Sequence, residues 1–331
     1  MEIYSMYKVP ITAVSPCFSL ELRDIHDFIA ELGPYNGQYA AKFPKDWIVK
    51  FTEHLEQLKP IERQSAKAQL EKIKLALVDT DLSYDYSMDW RQNIEISDAA
   101  SKYFPIVGDG VDPKPYKLWV DAINDIRESK KRTWKFHGNW SEFFAAIQPL
   151  LLNAPAAYII DRYFDPCNLT HENLLNSLLN RMNGSRCYQL HVITRFMKPS
   201  KPFSNNENSN EIISEENFHN LRNKLDQIYK NIIPKSRTLS FHFVREDRPG
   251  GKNLRMHNRH FLTRFGAIDF GQGFDIQEQK IAQMDAYIVD KEHHQILCDT
   301  YINGVTRGNE NLPKKSNIAY PIFVRTHNIN N

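Results

Sequence analysis

From residue 156 onward the chain alternates short apolar runs of strand length with longer segments of helical period, and this alternation constrains the fold more than any other feature of the sequence. Residues 157–161 (AYIID) form an apolar run that ends in an acid. A helix is expected from Thr170 to Met182, with Leu174, Leu175, Leu178 and Leu179 facing inward, and a strand at 188–194 (YQLHVIT). A polar insertion over 198–210 reads as an exposed loop. Behind it, Ser214 with Glu215 and Glu216 starts a second helix that carries Phe218, Leu221, Leu225 and Ile228 on one face and runs to Ile233. Residues 239–245 then alternate as a strand. The order is βαβαβ, with helices long enough to cross between parallel strands. The next segment, 260–275, reads as a tight hairpin turning at Gly266. A hairpin beside a parallel sheet departs from plain Rossmann order, and no GxGxxG follows the first strand. Beyond it, His293-His294 reads as the turn of a further hairpin between 285–290 and 296–302.

The first half has a different texture. Trp47, Ile48, Phe51, Leu55 and Leu58 recur at three- and four-residue spacing; after Pro60, so do Ala66, Leu70, Ile73 and Leu77, which predicts an antiparallel helix pair. Further helices are expected over 89–101, 116–128 and 140–152, with glycines and prolines at 108–115 as punctuation. At 331 residues the chain exceeds one typical domain of ~150 residues. The expected fold class is therefore α/β in two domains: a mostly helical, partner-binding domain over 1–153 and an α/β sandwich with a mixed sheet over 154–331.

Composition narrows the function classes. Hydrophobic residues make up 41% and charged residues 25%, ordinary values for a globular chain. No apolar run approaches the ~20 residues of a membrane helix, and the N-terminus shows no secretion signal, so a cytoplasmic protein without integral membrane contact is expected. The four cysteines are scattered singly, which argues against a zinc or redox pair, and neither metal nor cofactor is expected. With a net charge of +2 there is no molecule-wide field to attract nucleic acid, so any anion site must be local. Two segments qualify: 127–135, and 245–264, which carries Arg245, Arg248, Lys252, Arg255, Arg259 and Arg264 against Glu246 and Asp247.

Within the second segment, His257-Asn258-Arg259 stands just before a strand. Laid on the pattern HxKxxxxDxxxxxxGSxxN, the sequence puts Arg259 on the lysine, Arg264 on the aspartate, Gly271 on the glycine, Gln272 on the serine and Asp275 on the asparagine. In this it resembles the phospholipase D superfamily. The stretch MHNRHFLTRFGAIDFGQGFD is similar to a compact variant, roughly HDRxxxTxxGxxxxGxGxD, found in small prokaryotic phospholipase D-like proteins. The resemblance spans about residues 156–300 and leaves the first half unassigned.

The resemblance implies a definite chemistry. His257 would attack phosphorus to form a phosphohistidine, Arg259 would neutralise the charge building on the phosphoryl oxygens, and Asp285 would orient the imidazole. Arg255, Arg259, Arg264, Gly271, Gln272 and Asp275 would surround the phosphate. Arg264 stands where the family has a carboxylate, and Asp275 puts a carboxylate toward the anion, so the motif is degenerate. The superfamily's phosphodiesterases use two histidine motifs and this chain has one, so cleavage would require a homodimer in which two His257 side chains meet.

The expectation favoured by these departures is a phosphate-pocket protein. It would bind nucleic acid or a lipid headgroup, with a protein partner on the first half, as part of a prokaryotic defence or mobile-element system. The alternative is an active, metal-independent, homodimeric nuclease. The bland account of His257 is a surface histidine in an arginine-rich loop, and that of Arg264 a solvated charge at a strand end.

Overall fold

The computed structural model describes residues 11–325 except 19–20, 81, 98, 100–102, 104, 109–115, 130–132, 137–139, 184, 196–214, 245–258, 272–273, 275–283 and 307–318. The chain divides into two compact units, one comprising Met1–Trp134 and Ser141–Asn153, the other Lys135–Trp140 and Ala154–Asn331.

The first unit has the expected helices and adds a sheet that the apolar period does not reveal. Its helices lie where the apolar period places them: α2 (Trp47–Leu55), α3 (Pro60–Ala68), α4 (Leu70–Ala76), α5 (Trp90–Ile96), α6 (Trp119–Ser129) and α7 (Trp140–Asn153), preceded by α1 (Leu22–Glu31). They wrap a five-stranded sheet built from β1 (Ile11–Val14), β2 (Tyr39–Lys42), β3 (Leu77–Asp79), β4 (Ile106–Val107) and β5 (Tyr116–Lys117) in the order β3-β2-β1-β4-β5. Every pairing is parallel. Both faces are covered: Val14, Ala40, Leu77 and Val107 pack with the inward stripes of α1, α2 and α6, while Ala13, Ala41 and Ile106 pack with Trp90 and Ile94 of α5. An aromatic stack of Phe18, Phe28, Trp47 and Phe51, with ring centres 4.9–5.9 Å apart, fills the first face. Strands buried on both faces carry no polar alternation, and at two to four residues they are too short to be told from the ends of helices. The helical period through Ala66, Leu70, Ile73 and Leu77 thus stops one residue short, because Leu77 leaves helical geometry at φ −94 and ψ 133 and starts β3.

The second unit is built on an eight-stranded mixed sheet, so the α/β class with mixed sheets holds. Its strands are β6 (Thr133–Phe136), β7 (Ala156–Ile160), β8 (Gln189–Arg195), β9 (Thr238–Val244), β10 (His260–Leu262), β11 (Ala267–Phe270), β12 (Met284–Ile288) and β13 (Ala319–Arg325), in the order β13-β9-β8-β7-β10-β11-β12-β6. The strands β7, β8 and β9 are parallel and are joined through α8 (Leu169–Met182) and α9 (Glu215–Tyr229), the expected βαβαβ unit. Asn168, rather than Thr170, caps α8, its side chain accepting from the Thr170 N–H. On the other side of β7 the direction reverses: β10, β11 and β12 form an antiparallel meander. The β10–β11 hairpin turns through Thr263, whose N–H donates to the Gly266 carbonyl at 2.9 Å.

The segment around His293-His294 is not a hairpin turn. It forms α10 (Lys291–Leu297), capped by the Asp290 side chain, and continues into a π-helical stretch (Cys298–Thr306) where a strand was expected. Asp290 three residues ahead of His293 is an N-cap signal that outweighs the β-like flanks. Leu297, Tyr301 and Ile302 of this segment cover Tyr158, Ile160, Ile193, Leu262 and Ala267 on one face of the sheet. On the other face Tyr229 of α9 lies 5.3 Å from Phe241.

Candidate functional site

The carboxyl end of β7 is where the second sheet changes from parallel to antiparallel growth. At that edge the chain leaving β7 lies beside the start of the antiparallel strand β10. Asp161 follows β7 directly, and its N–H still donates to the Ile193 carbonyl at 3.0 Å, so its backbone is held as part of the sheet. Antiparallel pairing sets His260 opposite Ile160, and this register brings Arg259, one residue earlier, across from Asp161.

Arg259 is fixed from three sides. Its Nε lies 3.5 Å from Oδ1 of Asp161. Its Nη1 donates to the Gly271 carbonyl at 2.9 Å. Its guanidinium stands 5.3 Å from the centre of the Tyr163 ring. Its own carbonyl accepts from the Phe270 N–H at 2.7 Å, which locks the backbone. The side chain keeps 23% of its surface exposed, and among the described residues Nη2 has no acceptor.

Asp161 is 2% exposed. Burial pushes its carboxyl above the usual range, while the Tyr163 N–H, the Arg259 charge, the His171 ring and the Phe274 N–H work in the opposite direction. Oδ1 accepts from the Tyr163 N–H at 2.8 Å, so one carboxylate positions both the cation and the aromatic ring. A second guanidinium, that of Arg162, lies 5.5 Å from the same ring. A cation oriented in this way, with 23% of its side chain exposed, is suited to donate two parallel hydrogen bonds to phosphate oxygens.

Of the residues expected at the site, Arg259 and Gly271 are brought together. A Cβ on Gly271 would come within 3.1 Å of the Tyr287 hydroxyl, so the small residue also keeps that tyrosine in place. Arg264 is not part of the site. It lies exposed in the β10–β11 turn, at the other end of β10 and ~17 Å of extended chain from Arg259. Asp285 is also misplaced as a partner of that motif. It is exposed on β12, and the register puts it on the sheet face of Tyr287, Asp269 and His260, opposite that of Arg259. The carboxylate that holds the motif's cation is Asp161. His257, Arg255, Gln272 and Asp275 lie outside the described residues, as do the loop at 248–253 and the insertion at 198–210.

Beneath the edge the sheet carries an unusual set of buried imidazoles. His260 is 3% exposed, and its Nε2 lies 3.5 Å from Oδ2 of its cross-strand neighbour Asp269, without a hydrogen bond at either ring nitrogen. Burial pushes His260 down to about 3, helped by the charge of His293, so the ring is neutral. On the same face His191 Nδ1 and His242 Nε2 share a hydrogen bond of 3.1 Å, and Tyr158 stacks 4.7 Å from His191. Burial brings these two rings down to about 4 and about 3. Sequence reasoning passed over all three histidines because none opens an HxK/R pattern; their alternation within β8, β9 and β10 was the available signal. Among the described residues no group of three or more His, Cys, Asp or Glu is arranged to hold a metal ion.

Comparison with known proteins found no family model that matches this chain and no match among curated proteins. No helix among the described residues is long and apolar enough to cross a membrane.

Proposed function

We propose that the second unit is a phospholipase D-like phosphate-binding module that takes the phosphodiester backbone of nucleic acid at the carboxyl edge of β7. The observation that carries this reading is Arg259, anchored by the buried Asp161 and by Gly271 at the point where the sheet reverses, with its side chain still partly exposed. Binding takes precedence over cleavage because Arg264 stands apart from the site and the chain holds one histidine motif. Backbone recognition of this kind positions a nucleic acid without reading its sequence.

The test is to titrate the purified chain against labelled DNA and RNA oligonucleotides in EDTA, as wild type, Arg259→Ala and His257→Ala. Arg259-dependent binding without strand scission is the expected result. Equal affinity for wild type and Arg259→Ala would remove the site. Scission that survives EDTA and disappears in His257→Ala would replace the binding module with the homodimeric nuclease.

A further inference from the structure

The reading above leaves open which form of nucleic acid the edge accepts, and Tyr163 answers it. Tyr163 sets an aromatic ring beside two cations at the end of β7. Tyr163 is 42% exposed, while its N–H is tied to the buried Asp161 carboxylate at 2.8 Å. Its ring carries the Arg259 guanidinium at 5.3 Å and the Arg162 guanidinium at 5.5 Å. Backbone and ring are therefore both fixed, and the remaining aromatic surface is held out into solvent.

We infer that Tyr163, flanked by Arg162 and Arg259, is a stacking platform for an unpaired base, and that the ligand of this edge is single-stranded nucleic acid. The inference rests on the proposed phosphate-binding function of Arg259. A duplex presents only its phosphates to such a site, because its base faces are stacked on one another, and would use the arginines alone. A single strand offers an unpaired base to the ring and adjacent phosphates to the guanidiniums, and so uses every group in the cluster. Stacking of this type tolerates any base, since each has a π face, whereas the cation contacts follow the backbone.

The experiment measures the affinity of the full chain for one labelled oligonucleotide, single-stranded and annealed to its complement, in wild type, Tyr163→Phe, Tyr163→Leu and Arg259→Ala. Wild type is expected to bind the single strand at least ten times more tightly than the duplex. Tyr163→Phe should retain that preference. Tyr163→Leu, which keeps apolar bulk without the aromatic face, should lose about 5- to 150-fold in single-strand affinity and lose less for the duplex, which has no unpaired base to place on the ring. A strand carrying 2-aminopurine should be quenched on binding wild type and Tyr163→Phe, but not Tyr163→Leu. Equal binding of single strand and duplex, or single-strand affinity unmoved in Tyr163→Leu, would overturn the stacking role even if Arg259→Ala still weakened both ligands. Loss of any Arg259 effect would instead point to failure of the phosphate site itself.

Discussion

The two units are both α/β, yet they bury different kinds of polar group. The first buries a parallel sheet between apolar layers together with Thr12, Ser15, Gln38, Asn93 and Glu142, while His26 is exposed and His54 half-buried. The second threads Asp161, His171, Thr194, Ser240, His242, His260, Asp269 and His294 through its buried interior. Burying such groups costs free energy that an apolar residue of the same size would not. The buried polar groups of the first unit are thus mainly neutral, whereas the second concentrates buried histidines and aspartates around the strands that support the candidate site.

Acid offers the strongest way to break this comparison. His191, His242 and His260 are lowered from their ordinary value to about 4, about 3 and about 3. Groups lowered by folding stabilise the native state above the unfolded value of ~6.5 and lose that contribution as pH falls through the folded values. Between pH 6.5 and 4 the second unit should therefore lose stability relative to the first, and the loss should be the largest effect predicted for either unit. Hydrogen exchange followed by mass spectrometry should show protection falling in β8, β9 and β10 before it falls in β1 and β2. Simultaneous loss in both sheets would contradict the contrast.

Packing is the matching test for the first unit. Phe51→Ala removes a ring that stacks at 4.9 Å on Trp47 and 5.9 Å on Phe18, and should cost about 3–5 kcal/mol, measured by urea unfolding. Asp161→Ala in the second unit should cost less, about 1–3 kcal/mol, because the Tyr163 N–H and the Arg259 guanidinium lose their shared acceptor. A double-mutant cycle with Arg259→Ala should be non-additive, and full additivity would show that the pair is not coupled. The smallest expected effect is at Gly271: Gly271→Ala should cost about 1 kcal/mol through the 3.1 Å approach to Tyr287, and Tyr287→Phe should recover most of it.

The same contrast explains what the sequence revealed. The βαβαβ run and the β10–β11 hairpin were legible because strands of three to seven residues alternate with helices that have defined starts. The sheet of the first unit was not, since β4 and β5 are two residues long and its strands merge into apolar surroundings. At the site, Arg259 and Gly271 stood out by spacing. Asp161 was visible as the acid ending a strand, but its partnership with Arg259 depends on the antiparallel register of β7 and β10, which spacing along one chain does not encode. Arg264 was drawn into the pocket by spacing alone, and the β10–β11 turn sets it at the other end of β10 from Arg259. Asp285 was assigned in the same way, and alternation along β12 turns it to the other face.

The account stands most directly on Arg259 as a phosphate ligand, and salt dependence measures that role without reference to sequence or strand form. Nucleic-acid affinity should be measured by anisotropy from low to moderate salt for wild type and Arg259→Ala. The logarithmic slope should be shallower in Arg259→Ala by about 0.7–0.9, the release of counterions from one phosphate contact. Identical slopes and affinities in the two proteins would contradict the account.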